Sequence, residues 1–521
     1  MNFSKRGKIE LLDSTLREGM QSQGISFSVE DKLAIVKALD RIGIDIIEAG
    51  NPSTGAKELE FFRRAKSIKL THSVLAAFGS TRRKNTTPPD DAGLDALIKA
   101  ETPVVVIFGK CSESQITDVL KTTVEENEAM IKSSISYLRL WEKRVIFDAE
   151  HFFDGYRSNP KLAISAIKAA VGAGAEKVVL CDTNGGTFPD EIAYVTSEIV
   201  KIIDAPIGIH CHDDCGLAVA GTISAVKAGA VHAQGTFLGF GERTGNARLS
   251  AVIPALQLKQ GYSLIPPEKM PLLTSAAHEI AEISNVRIDS KEPFVGHSAF
   301  AHKAGMHLDG VSKNSGSFEH IDPSEVGNKR EFLISEISGK TAVKNELAAF
   351  FPDIKKDSPL LLRMLEKVKK LEHEGYHLEG AKASFLLYAL KENGSFKKCF
   401  ELVGYDISSS MDESTAKISI KVFDKTEESF ASGNGPVNAL DKALRKALEA
   451  FYPTLSGVQL IDYKVRVIDS GAATGAKVRV LISSSNGKEV WTTVGVSSDI
   501  IKASLEALID SIEYILQKEM L

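Results

Sequence analysis

The feature that most limits what this chain can fold into is a rhythm. Between residues 9 and 240, short apolar runs recur roughly every thirty residues, each followed by an amphipathic stretch of helical length. Eight such runs lie at 9–12, 44–48, 73–77, 104–108, 145–147, 177–181, 207–210 and 231–236. Strands that alternate with helices build a parallel sheet, because a strand that returns parallel to its predecessor needs a crossover connection. Eight of them in one domain fit a closed barrel, and no GxGxxG follows the first run, which argues against an open dinucleotide-binding sheet. The expected fold class is α/β, a (β/α)8 TIM barrel over residues 1–270.

Over 271–405 the strand rhythm stops and helical patterns take over, such as Leu361, Leu365, Val368 and Leu371, with Ser358-Pro359 as a helix start. This stretch reads as a helical connecting region. Over 406–521 strand-like segments return at 417–423, 460–467, 478–482 and 490–496. One helix follows the turn at 433–436 with Val437, Leu440, Leu444, Leu448 and Phe451 in its apolar stripe, and a second spans 500–516. The C-terminal part is thus two units of strands followed by a helix, an α+β domain suited to regulation or dimerisation.

Composition removes several function classes. Of 521 residues 43% are hydrophobic and 25% charged, an ordinary globular balance. Lys and Arg total 63 against 68 Asp and Glu, a formal charge of −5, so no global field points to nucleic acid or an anionic membrane. Five cysteines, Cys111, Cys181, Cys211, Cys215 and Cys399, are too few and odd in number for a disulfide framework. The N-terminus carries no apolar h-region and no apolar run is long enough to span a bilayer. A cytoplasmic protein is expected.

Polar residues crowd the C-terminal ends of the runs: Asp13, Glu48, Asp148 with Glu150, Asp182 with Thr183, and His210 with His212. In a barrel that end is where catalytic groups converge. Residues i and i+2 on a strand share a side, so His210 and His212 can offer two imidazoles to one metal while Cys211 faces away. Two hydrogen-bonded or exposed histidines would read the same. Arg17 and Glu18 lie beyond the first strand, where a carboxylate can reach the same ion, or where the pair simply braces the barrel mouth. A glycine-rich loop from Gly239 to Asn246 follows the eighth run, serving a turn or bringing Asn246 close to a ligand.

These residues carry a resemblance. Leu16-Arg17-Glu18-Gly19-x-Gln21 with Lys32 eleven positions on, HxHDDxGLAVA over 210–220, and GERTGNA over 241–247 resemble the 2-isopropylmalate, homocitrate and citramalate synthase family. The stretches FDAEHFFDGY over 147–156 and CDTNGG over 181–186 are similar to its citramalate branch. The resemblance spans the whole chain, including a C-terminal region similar to the family's allosteric domain of paired βββα units.

The resemblance implies a Claisen-type condensation of acetyl-CoA with a 2-oxo acid, followed by thioester hydrolysis. For the citramalate branch the oxo acid is pyruvate and the product (R)-citramalate, the first step of a threonine-independent route to isoleucine. It implies a divalent metal (Mn, Zn, Co or Mg) on Glu18, His210, His212 and Asn246. Arg17 would stabilise the developing alkoxide, and Thr183 would bind the substrate carboxylate, with Gln21 and Asp148 at the substrate. It places the base at Glu150, although on spacing alone Asp148 serves equally. In a homodimer the segment from Phe300 to Gly310 would reach the partner's barrel, with His307 as acid-base partner and His302 at the CoA. An amino-acid effector follows, isoleucine before leucine, sought at the turns 433–436 and 471–475. Glu18 stands where most relatives outside the homocitrate synthases carry Asp, so other oxo acids stay open. An acyl-CoA lyase or aldolase on the same barrel is the competing reading.

Overall fold

The computed structural model describes residues 6–333, 340–348, 350–355, 357–468 and 475–520. Of the turn at 471–475, one of the two expected effector positions, residues 471–474 lie outside them. The chain folds as two compact units, residues 1–300 with 321–329, and residues 301–320 with 330–521.

The first unit holds a closed eight-stranded parallel barrel in sequential order. Its strands are β1 (Glu10–Asp13), β2 (Ile46–Glu48), β3 (Val74–Ser80), β4 (Val104–Lys110), β5 (Arg144–Glu150), β6 (Lys177–Asp182), β7 (Ile207–Cys211) and β8 (His232–Gly235). The eight apolar runs are these strands. Closure is the pairing of β1 with β8, which sets Glu10 against His232 and Asp13 against Gly235. Both faces are buried, which is why the strands read as continuous apolar runs rather than alternating ones. Leu12, Ile46, Ala76, Val104, Val106, Ile146, Val179 and Cys181 form one cluster. Their strand neighbours, such as Leu11, Ile47, Val105 and Phe147, belong to a second that includes Ile35, Leu39 and Ile135 of the surrounding helices. Cys211 belongs to this second cluster, so it does face away from the two histidines.

Helix ends follow local chemistry. Helix Val29–Ile42 starts with a capping box between Ser28 and Asp31 and ends at Gly43 with φ 93°. Asp40, within this helix, collects the backbone N–H groups of Thr71, His72 and Ser73 at 2.8–3.1 Å and so fixes the approach to β3.

The second unit begins with a short parallel pair, β9 (Ala301–His302) and β10 (Glu331–Phe332), and helix Gly305–Lys313. Helix Pro359–Glu374 starts after Ser358 as expected, but the serine side chain makes no capping hydrogen bond. Two βββα units follow. The first is β11 (Glu401–Ser409), β12 (Ser414–Val422), β13 (Lys425–Gly433) and helix Pro436–Glu449. The second is β14 (Gln459–Val467), β15 (Val478–Ser485), β16 (Val490–Ser497) and helix Ile500–Met520. Ala416, Ile418, Ile420 and Val422 of β12 are buried with Leu440, Leu444 and Leu448 of the first helix. The flanking strands β11 and β13 carry no strand-like apolar pattern of their own and follow only from the resemblance to paired βββα units. Among the described residues no helix is long and apolar enough to cross a membrane.

Candidate active site

A cavity of about 290 Å³ is lined by Arg17, Glu18, Gln21, Asp148, Glu150, Thr183, His210 and His212, together with Phe78, Phe108, Cys181, Glu242 and Arg243. Residues from the ends of β3–β7 and from the loops after β1 and β8 thus meet at one place, the C-terminal mouth of the barrel.

The basic group in it is tightly held. Arg17 Nε lies 2.5 Å from Glu48 Oε1, its Nη1 pairs with Glu18, and its guanidinium sits 3.7 Å over the Phe78 ring. Phe78 in turn stacks on Phe108 with centroids 5.6 Å apart. Burial raises the Glu48 carboxyl and Arg17 opposes that rise.

The two imidazoles have ring centroids 5.2 Å apart, and His212 Nε2 is 3.7 Å from Glu18 Oε1. Burial first, then His212 and Arg17, push His210 down to about 3. Burial with Arg243 and Arg17 pushes His212 down to about 4. Both are therefore neutral at pH 7, the form that binds metal. Asn246 is joined to His212 by a backbone bridge, and its Nδ2 donates to Phe240 O at 3.1 Å. This leaves Asn246 Oδ1 buried without a hydrogen-bond partner, as is His212 Nδ1. The loop after β8 needs its glycines for this. Gly245 has φ 97°, and a Cβ there would lie 1.9 Å from Gly239 O. A Cβ on Gly241, at φ 155°, would lie 2.0 Å from Asn246 Nδ2.

Among the described residues no three His, Cys, Asp or Glu side chains converge as a ready metal cage. The reason is that Glu18 is turned to Arg17 and that the fourth expected donor is an amide. As a donor set, two neutral imidazoles, a carboxylate oxygen and an unpartnered amide oxygen fit a divalent ion.

Two acids share the end of β5. Asp148 is buried and is pushed up to about 8 by burial and then by the charge of Glu48. Glu150 has a side chain 25% exposed and forms an ion pair with Lys110, its register partner on β4. Thr183 Oγ1 accepts the N–H of His151 at 2.8 Å, which leaves its own hydroxyl proton free to donate. His151 adopts the left-handed conformation, φ 58°, to make this contact. Arg243 bridges Asp214, at 2.7 and 2.8 Å, to Thr183 O at 2.8 Å. The thiol of Cys181 is raised well above its usual range by burial and then by Asp148, so it is held in the protonated form.

His302 and His307 belong to the second unit. His302 is buried and its Nε2 lies 3.0 Å from Glu319 Oε1, which also accepts from Arg330 Nε at 2.7 Å. His307 is exposed and stacks on Phe318 with centroids 4.1 Å apart. Site roles for Lys110, Gln234, Phe78 and Phe108 were not expected from the sequence. Phe78 and Lys110 lie just beyond the third and fourth apolar runs, and their place at strand C-terminal ends is the signal that points to them.

Residues 8–285 match the family model described as HMGL-like, 294–375 the homocitrate synthase post-HMGL domain-like model, and 379–516 the LeuA allosteric (dimerisation) domain. The (R)-citramalate synthase of Aquifex aeolicus is 48% identical, covering 98% of each chain. That of Geobacter sulfurreducens is 45% identical over the same shares. A probable 2-isopropylmalate synthase of Methanopyrus kandleri is 29% identical, covering 96% of this chain and 97% of its own. Identity of this order over nearly the full length, together with the barrel and the paired βββα units, shows that the chain belongs to the (R)-citramalate synthase family.

Proposed function

We propose that the chain condenses acetyl-CoA with pyruvate to give (R)-citramalate and CoA, an early step of isoleucine biosynthesis in the cytoplasm. The observation that carries this reading is the 42–48% identity to relatives of that name across almost the whole chain. Glu18, His210, His212 and Asn246 would hold a divalent ion (Mn, Zn, Co or Mg), which when bound would supply Lewis acidity for the oxo acid. The buried Asn246 Oδ1 and the two neutral imidazoles support that assignment.

The remaining steps fall to the chain's own groups. Thr183 donates its hydroxyl proton to the carboxylate of pyruvate, with Gln21 beside it. Glu150 removes a proton from the acetyl methyl, and the carbanion bonds to C2 of pyruvate. Of the two acids on β5 it is the one open to an arriving thioester, whereas Asp148 is buried and already hydrogen-bonded to Gln234. As the C–C bond forms, the keto oxygen gains negative charge next to the Arg17 guanidinium, whose position is set before reaction. The alkoxide takes a proton and water cleaves the thioester, releasing CoA thiol and the second carboxylate. His307, with His302 near the CoA, serves this last step within a homodimer. The C-terminal βββα pair binds an amino-acid effector, isoleucine before leucine.

Acetyl-CoA-dependent release of free thiol in the presence of pyruvate and Mn2+ tests the reading. Release that stops when a chelator removes the ion supports it. Release that is independent of pyruvate, or undiminished by the chelator, contradicts it.

A further inference from the structure

Gln234 lies in β8, 1% exposed, and none of the motifs that mark the site includes it. Its amide joins groups from two other strands. Oε1 is 2.9 Å from His210 Nδ1 on β7, and Nε2 donates to Asp148 Oδ1 at 2.9 Å on β5. We propose that Gln234 is a positioning residue that fixes the tautomer and ring orientation of His210 for metal binding. This rests on the reading of His210 as a metal ligand.

A neutral imidazole carries one N–H. With the amide oxygen at Nδ1, that proton sits on Nδ1 and the lone pair on Nε2. A half-turn of the amide would present its NH2 to His210 Nδ1 and its oxygen to Asp148. The imidazole proton would then move to Nε2, and Nε2 would lose the lone pair a metal needs. Asp148 decides between the two arrangements. Its Oδ1 takes the amide N–H at 2.9 Å, which turns the amide oxygen to His210 Nδ1.

No apolar side chain can accept from one neighbour and donate to the other. Glutamate can do both once it holds a proton: its carbonyl oxygen accepts from His210 while its O–H donates to Asp148. One proton shared between two buried carboxyls that cannot both ionise reproduces the amide. Outer-shell partners of this kind typically change metal affinity by ~10–100-fold.

The test is Mn2+ affinity of the full-length protein without substrates, by competition with a chromophoric chelator, for the wild type, Gln234→Leu, Gln234→Glu and His210→Ala. Thermal unfolding of each variant is followed alongside. Gln234→Leu is expected to weaken Mn2+ binding by ~10–100-fold while unfolding stays cooperative, with Gln234→Glu within a few-fold of wild type. If His210→Ala loses Mn2+ and Gln234→Leu does not, the positioning proposal is overturned on its own. Equal losses in the Leu and Glu variants would also overturn it. Undiminished binding in His210→Ala would instead remove the ligand reading beneath it.

Discussion

Arg17 Nε lies 2.5 Å from Glu48 Oε1, and the two side chains are only 10% and 0% exposed. A guanidinium fixed this way is oriented by its planar fork and by the Phe78 ring beneath it, neither of which an ammonium can use in the same manner. Arg17→Lys should therefore keep the charge and lose the alignment. Steady-state kinetics should show kcat lower by roughly 10²–10³-fold, with thermal stability little changed. A kcat within a few-fold of wild type would mean that charge alone suffices.

The two acids of β5 separate by isotope exchange. If Glu150 is the base, Glu150→Gln should slow uptake of deuterium from D2O into the acetyl methyl by about 10²–10⁴-fold in the presence of a non-condensing oxo-acid analogue. Asp148→Asn should exchange much faster than Glu150→Gln. The reverse order would move the base to Asp148, whose carboxyl is pushed up to about 8 by burial and then by Glu48.

The barrel was legible because most of its strands are buried on both faces and interrupt a helical rhythm with a short apolar run, as in VVVIFGK of β4, whereas β8 (HAQG) is buried but polar. In the C-terminal domain the central strand STAKISIKV was legible for the opposite reason, since its burial alternates residue by residue. Its neighbours were not. β11 (ELVGYDISS) has no fully buried residue, and β13 (KTEESFASG) is exposed over its first four, as the two outer strands of a three-stranded sheet whose central strand carries the buried face. At the site, residue types in motifs could be read directly, whereas pairings set by register could not. Lys110 and Glu150 meet only because β4 and β5 align them. Gln234 bridges across the barrel from a strand end that carries no motif.

Gly245 offers a backbone test of the loop that carries Asn246. At φ 97°, with Gly239 O only 1.9 Å from where a Cβ would be built, Gly245→Ala must displace the loop. It should cost more than ~1 kcal/mol in thermal or chemical unfolding and weaken Mn2+ binding as well. Loss of stability with unchanged Mn2+ affinity would separate Asn246 from the metal site.

Asp40 links the fold to pH. Burial alone would raise its carboxyl, but the N–H groups of Ser73, Thr71 and His72 outweigh that and hold it at about 2. A carboxyl lower in the folded than in the unfolded state stabilises the fold at pH above its unfolded value, near 4. That stability is lost as pH falls from about 4 towards 2. Asp40→Asn should lower the melting temperature at pH 7 and flatten its decline on acidification. An acid limb identical to wild type would show that these three hydrogen bonds do not depend on the charge.

The choice of oxo acid decides which reaction the barrel carries out. The purified protein, with Mn2+ and acetyl-CoA, is given pyruvate, 2-oxoisovalerate, 2-oxoglutarate or no oxo acid, and the product is resolved by chiral chromatography. Thiol release is expected with strong preference for pyruvate and a single product, (R)-citramalate, despite glutamate at position 18. Preference for 2-oxoglutarate or 2-oxoisovalerate, or release of thiol with no oxo acid present, would contradict it.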